Sequence, residues 1–232
     1  MRFAAMRLAV GWIVLAGPLA LSAQSADWAA LARYRADNAR IGAPAPGEQR
    51  VVFYGDSITD AWAASFGAMF SGEPYIGRGI SGQTTPQMLV RFRQDEIALQ
   101  PAVVVILAGT NDIAGNTGVS TQAMIEDNLI SMVQLAQANG IRVVRASVLP
   151  AADYRWSPGL EPGPKIVALN AWMREYAAVH DVVYLDYHSA MADEQQGLGP
   201  ELSADGVHPN AAGYRLMAPM VQQAIAQALA EQ

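Results

Sequence analysis

No cysteine occurs in the 232 residues, so the chain has neither a disulfide nor a lipidated N-terminal cysteine, and its fold must rely on its core. Basic charge is scarce too. Fifteen Lys and Arg stand against 21 Asp and Glu, a net charge of -6 with no basic stripe, which argues against nucleic acid as a partner. No internal repeat or low-complexity tract is present, and only three histidines are available to any chemistry that needs one. The apolar stretch from Leu8 to Leu21 is interrupted by Gly11 and Pro18, and it is shorter than the roughly 20 apolar residues a spanning helix needs.

That stretch follows Arg2 and Arg7 and precedes small residues around Ser22 to Ser25, the pattern of a secretory signal peptide. The expectation is a signal peptide over 1–23, cleaved near residues 22–25, and a periplasmic or secreted protein without stable membrane insertion. Over 24–48 the sequence predicts a packing helix and linker: Trp28, Leu31, Tyr34 and Asn38 recur at helical spacing within Asp27 to Arg40, and a Pro/Gly segment follows from Gly42 to Gly47. The remaining residues, 49–232, suffice for one globular domain, given 52% hydrophobic content.

Within it, strand and helix signals alternate. Strands are expected near residues 50–55, 74–79, 102–108, 141–148 and 182–186, and helices near 58–70, 84–99, 120–139, 164–179 and 209–230. Alternation of this kind predicts an α/β fold, a five-stranded parallel sheet covered by helices on both faces.

Polar residues gather where these strands end. In Val51 to Asp60, VVFYGDSITD, an apolar run breaks at Gly55 and a helical pattern resumes at Ala61, which puts Ser57 near a helix N-terminus. Unpaired N–H groups there favour developing negative charge, so Ser57 is a candidate nucleophile; the alternative is that Asp56, Ser57 or Thr59 caps the helix. Ser203 to Asn210, SADGVHPN, places Asp205 three residues before His208 in a Gly/Pro-rich turn. That suits a histidine held and exposed as a general base, or a solvated loop histidine. Val103 to Leu107, apolar on both faces, empties into AGTND, where Asn111 offers either an amide donor or a turn cap.

Together with GISGQT at Gly79 to Thr84, these motifs resemble the GDSL or SGNH hydrolase family in its usual chain order, from about Arg50 to the C-terminus. The resemblance implies a flavodoxin-like three-layer α/β/α sandwich with strand order 2-1-3-4-5. It also implies Ser57 as nucleophile, the Ser57 N–H, Gly82 and Asn111 as oxyanion donors, and His208 as base with Asp205 behind it. Two positions depart from the family pattern: Ile58 stands for leucine, a volume-conserving change, and Gly77 stands for asparagine before the second loop. The residue types fit acyl transfer in their own right, which needs an activated nucleophile, an oriented base and donors aimed at an oxyanion.

Gly77, Gly79 and Gly82 also spell the dinucleotide-binding GxGxxG. That motif calls for an acidic residue about 20 positions later at a strand end. Asp95 and Glu96 come too early and fall in a helical stretch, so no nucleotide or other cofactor is expected. The loop from Leu149 to Lys165 follows the fourth strand, and its Tyr154 and Trp156 either stack on a sugar or pin the loop to the body. Asp186 and His188 lack the further ligands a metal site would need, and none is expected.

The resulting expectation is a serine hydrolase of short-chain O-acyl esters, acetyl above all, acting through an acyl-enzyme on a small-molecule or glycan ester. The alternatives are a lysophospholipase, broad acylhydrolase or thioesterase, and a catalytically silent carbohydrate-binding protein on the same fold.

Overall fold

Five short apolar runs become the strands of one parallel sheet in a computed structural model that describes residues 27–230. They are β1 (Val51–Gly55), β2 (Tyr75–Gly79), β3 (Val103–Leu107), β4 (Arg142–Ala146) and β5 (Val183–Leu185), in the order β2-β1-β3-β4-β5. Every pairing is parallel; Val51 stands beside Tyr75 on one side and Val103 on the other. The expected signal peptide, 1–23, lies outside the described residues.

The helices are α1 (Arg35–Ile41), α2 (Ser57–Ala63), α3 (Phe66–Met69), α4 (Thr85–Asp95), α5 (Thr110–Ile113), α6 (Gln122–Gln137), α7 (Pro162–Val179), α8 (Tyr187–Met191) and α9 (Ala211–Ala230). Successive strand residues point to opposite faces, which divides the core into two layers. Val52, Tyr54, Val104 and Ile106 pack with Met88 and Phe92 of α4, Leu129 and Met132 of α6 and Leu169 of α7. Val51, Phe53, Val103 and Val105 pack with Trp62 of α2, Phe66 of α3 and Met217 and Val221 of α9. Each large apolar side chain buried in this way contributes about 1.5–3 kcal/mol against the cost of ordering the chain.

Where the observed elements depart from the expected ones, the causes are local. The helix expected over Asp27 to Arg40 forms only from Arg35; before it the chain turns, with Ala30 at φ 54 and the Asp27 carboxylate accepting from the N–H groups of Leu31 and Ala32. Trp28 is half exposed, while Tyr34 is buried and its hydroxyl donates to the Gly79 carbonyl. The single helix expected near 58–70 is broken at Ala64 and Ser65 into α2 and α3. Two short helices, α5 and α8, were not expected, because one turn of helix carries no readable period.

Gly77 and Gly79 do not cradle a phosphate. A Cβ on Gly77 would come within 2.3 Å of the Ala63 Cβ, and one on Gly79 within 2.1 Å of the Asp60 backbone nitrogen. They are glycines so that α2, which carries Ser57, can lie against β2; an asparagine at 77 would not fit this packing.

Candidate active site

The C-terminal ends of β1, β2, β3 and β4 deliver the polar residues to one edge of the sheet, next to the β1/β3 switch point where ligands of such sheets bind. Ser57 opens α2 immediately after β1. The capping alternative falls to its neighbour: the Asp56 carboxylate accepts from the Ile58 N–H at 3.0 Å, so the Ser57 hydroxyl is not used as a cap.

Instead, the Ser57 Oγ meets the His208 Nε2 at 2.8 Å, across 151 residues of chain. The other ring nitrogen, Nδ1, lies 2.7 Å from the Asp205 Oδ2. Asp205 is itself fixed, its Oδ1 accepting from the N–H groups of Val207 and His208 at 2.9 and 2.8 Å. Partial burial works against ionisation of Asp205, but the N–H and imidazole of His208 and the Val207 N–H outweigh it and hold the carboxyl well below the ordinary carboxylate range. An ionised partner on Nδ1 keeps the proton there and leaves Nε2 to face the serine. Ser203 secures the turn, its hydroxyl donating to the His208 carbonyl at 2.8 Å. From α9, the Tyr214 hydroxyl donates to the Ile58 carbonyl at 2.8 Å, tying the helix that follows the histidine turn to the serine's helix.

Beside this chain of three residues is a cleft of about 190 Å³ lined by Ser57, Ser81, Gly82, Asn111, Asn116, Trp156 and His208. Gly82 turns the second loop at φ 77, a backbone region costly for other residues; space alone does not demand glycine, since a Cβ would find only the Asn116 Nδ2 at 3.9 Å. Asn111 is 3% exposed on α5, and its Nδ2 donates to the Gln83 carbonyl at 3.0 Å and, more weakly, to the Asp56 Oδ2 at 3.3 Å. Burial raises the Asp56 carboxyl to about 6 despite the Ile58 N–H, and raises Asp112 to about 6 despite bonds from Thr85. Arg91, wholly buried, donates to the Gly55 carbonyl at 2.9 Å and to the Gln83 Oε1 at 2.5 Å, bracing the serine turn and the second loop from below.

The structure separates the two aromatic residues of the 149–165 loop. Tyr154 is fully buried, hydrogen-bonded to the Thr110 hydroxyl at 2.9 Å, and therefore is not a surface for substrate, a correction to the expectation that paired it with Trp156. Trp156 is 46% exposed at the cleft, its ring 5.0 Å from that of Tyr154 and 6.3 Å from that of His208. Ser81, which lies within the GISGQT motif but was given no role of its own, and Asn116, which lies outside every motif, also line the cleft; the only available signal for Asn116 was a Gly-flanked turn five residues past Asn111. Past the end of β5, the outermost strand, Asp186 caps α8 and pairs with Arg174, while His188 is buried. Among the described residues no group of three or more His, Cys, Asp or Glu could hold a metal ion.

Residues 53–216, which include the serine, both loops, the asparagine and the histidine turn, match the model of the GDSL-like lipase/acylhydrolase family. The chain belongs to that family. Its fold agrees with a GDSL-like lipase from Bacteroides thetaiotaomicron at 44% identity and a TM-score of 0.84, over 87% of this chain and all of that one. It is 29% identical to the esterase TesA of Pseudomonas aeruginosa over 69% of its length and 80% of that protein's. It is also 25% identical to an acetylxylan esterase of Geobacillus stearothermophilus over 73% of its length and 90% of that protein's. As a GDSL esterase/acylhydrolase it is a carboxylic ester hydrolase. No helix among the described residues is long and apolar enough to cross a membrane.

Proposed function

We propose that Ser57, His208 and Asp205 form the catalytic triad of an esterase that removes short acyl groups, acetyl in the first place, from small alcohols or sugars. One observation carries this reading: the continuous contact from Asp205 through His208 to Ser57, at 2.7 and 2.8 Å, opens onto the cleft. His208 takes the Ser57 proton as Oγ attacks the ester carbonyl. The oxyanion so formed is met by the N–H groups of Ser57 and Gly82 and by the Asn111 Nδ2, which exchanges its long 3.3 Å bond to Asp56 for the new charge. His208 then protonates the departing alkoxide, leaving an acyl-serine. Water, deprotonated by the same imidazole, releases the acid and restores the serine.

The short-acyl preference is supported by the size of the cleft, about 190 Å³, below the roughly 300 Å³ at which pockets for drug-sized ligands begin. The exposed face of Trp156 at its rim supports a sugar as the alcohol, as does the similarity to an acetylxylan esterase. Residues 1–23 are read as a signal peptide that delivers the rest, 24–232, to the periplasm or medium, on the charge and apolar pattern alone.

Chromogenic esters of increasing chain length test the reading. The acetate ester is expected to give the highest kcat/KM, with a steep fall by the octanoate. A maximum at octanoate would replace the short-acyl reading with the broad acylhydrolase one. Absence of turnover on every ester, with tight binding of xylan oligosaccharides, would favour the silent binding protein.

A further inference from the structure

Asn116 occupies an exposed turn after α5, yet its side chain touches three parts of the cleft at once. Its Nδ2 donates to the Asn111 Oδ1 at 2.8 Å and to the Gly82 carbonyl at 3.1 Å, and its Oδ1 accepts from the Trp156 Nε1 at 3.1 Å. The orientation of both amides follows from chemistry at the two ends of this chain. An indole N–H can only donate, so the atom of Asn116 facing Trp156 must be oxygen, which turns its nitrogen toward Asn111 and Gly82. The carbonyl of Gln83 can only accept, so the atom of Asn111 facing it must be nitrogen, which leaves its oxygen for Asn116.

We propose that Asn116 is a positioning residue that sets the oxyanion hole, holding Gly82 and Asn111 from a single side chain, and that Trp156 influences turnover through it. This rests on the assignment of Gly82 and Asn111 as oxyanion donors. Without Asn116, the Asn111 amide loses the partner of its oxygen, and Gly82 loses the tie at its carbonyl, one peptide beyond its donating N–H, so the Asn111 amide and the left-handed turn that aims the Gly82 N–H both sample other orientations. The turn itself is held independently, by the Asn116 N–H on the Asn111 carbonyl at 3.0 Å and by the Thr117 hydroxyl on that of Thr84 at 2.9 Å. Removing the side chain therefore leaves the backbone anchored.

Kinetics on a small aryl acetate, with binding of an arylboronate as a tetrahedral mimic, tests the assignment. Asn111→Ala should lower kcat about 100-fold, and Asn116→Ala about tenfold, because misplaced donors retain part of their effect. For Asn116→Ala, KM should stay within about twofold while boronate affinity falls in step with kcat/KM. Asn116→Asp keeps the size and the acceptor for Trp156 but turns both donated bonds into oxygen facing oxygen. It should be at least as damaging as alanine, whereas a merely structural role would make it the milder change.

Trp156→Phe keeps a ring and loses the donor, so it should cost about threefold in kcat and add nothing in an Asn116→Ala background. A wild-type kcat in Asn116→Ala alongside a crippled Asn111→Ala would overturn the positioning role and leave the oxyanion assignment standing. A wild-type kcat in Asn111→Ala would overturn the assignment itself, and the proposal with it.

Discussion

Glu96, at the C-terminus of α4, is fully buried, and neither carboxylate oxygen has a hydrogen-bond partner among the described residues. Burial without a partner raises its pKa from 4.5 to about 8, so the folded protein keeps the proton over a range where the unfolded chain has lost it. The folded state binds more protons in that window, and stability therefore falls as pH rises from about 4.5 to about 8, with no further change above it. A rise of this size corresponds to roughly 5 kcal/mol across the whole window, and to roughly 3 kcal/mol at pH 7. That is a large share of the roughly 5–15 kcal/mol by which domains are usually stable.

Glu96→Gln keeps the shape and cannot ionise. Urea denaturation of both proteins at pH 5, 7 and 8.5 and fixed ionic strength isolates this one group, because the raised Asp56 and Asp112 are common to both. The amide carries its own burial cost, constant with pH, so the quantity to read is the change in the stability difference between pH 5 and 8.5. It should move by several kcal/mol in favour of the variant. Parallel pH curves for the two proteins would refute the reasoning, since they would mean that the folded state accommodates the Glu96 charge as well as water does.

Ser57→Ala and His208→Ala should each abolish nearly all ester turnover, and the double variant should be little worse than either, because the pair acts as a unit; additive losses measured by kcat would separate their roles. Asp205→Ala should retain more activity than either, since it orients and stabilises the imidazole without taking the proton. Gly79→Ala would put a Cβ 2.1 Å from the Asp60 nitrogen and force α2 off the sheet, costing about 1–3 kcal/mol by urea denaturation; an unchanged midpoint would show that the helix can shift freely. Protein recovered from a bacterial periplasm should begin near residues 22–26, and an intact mass that includes Met1 would defeat the signal-peptide reading.

What the sequence determined by itself was whatever depends on neighbours along the chain. A run such as Val103 to Leu107 is apolar on both faces, so it must lie inside a sheet covered on both sides, and the helical segments between such runs force parallel strands. Ser57 after β1, Gly82 after β2 and Asn111 after β3 were legible for the same reason, since a strand end followed by glycine and polar residues is a local signal.

Tertiary structure decided the rest, because burial and partners depend on residues far apart in the chain. Tyr154 and Trp156 are two positions apart and indistinguishable by composition. One disappears beneath the cleft because Thr110, 44 residues away, accepts or supplies its hydroxyl hydrogen bond, and the other stays at the rim. Only the closed fold puts Ser57 against a histidine 151 residues away and lets the Asn116 side chain meet Gly82 and Trp156, which lie 34 and 40 residues from it on opposite sides along the chain. Glu96 carries no mark in the sequence at all. Its unpaired burial arises where α4 ends against the body of the domain, and a carboxylate's proton affinity is set by what surrounds it in space rather than by its neighbours in the chain.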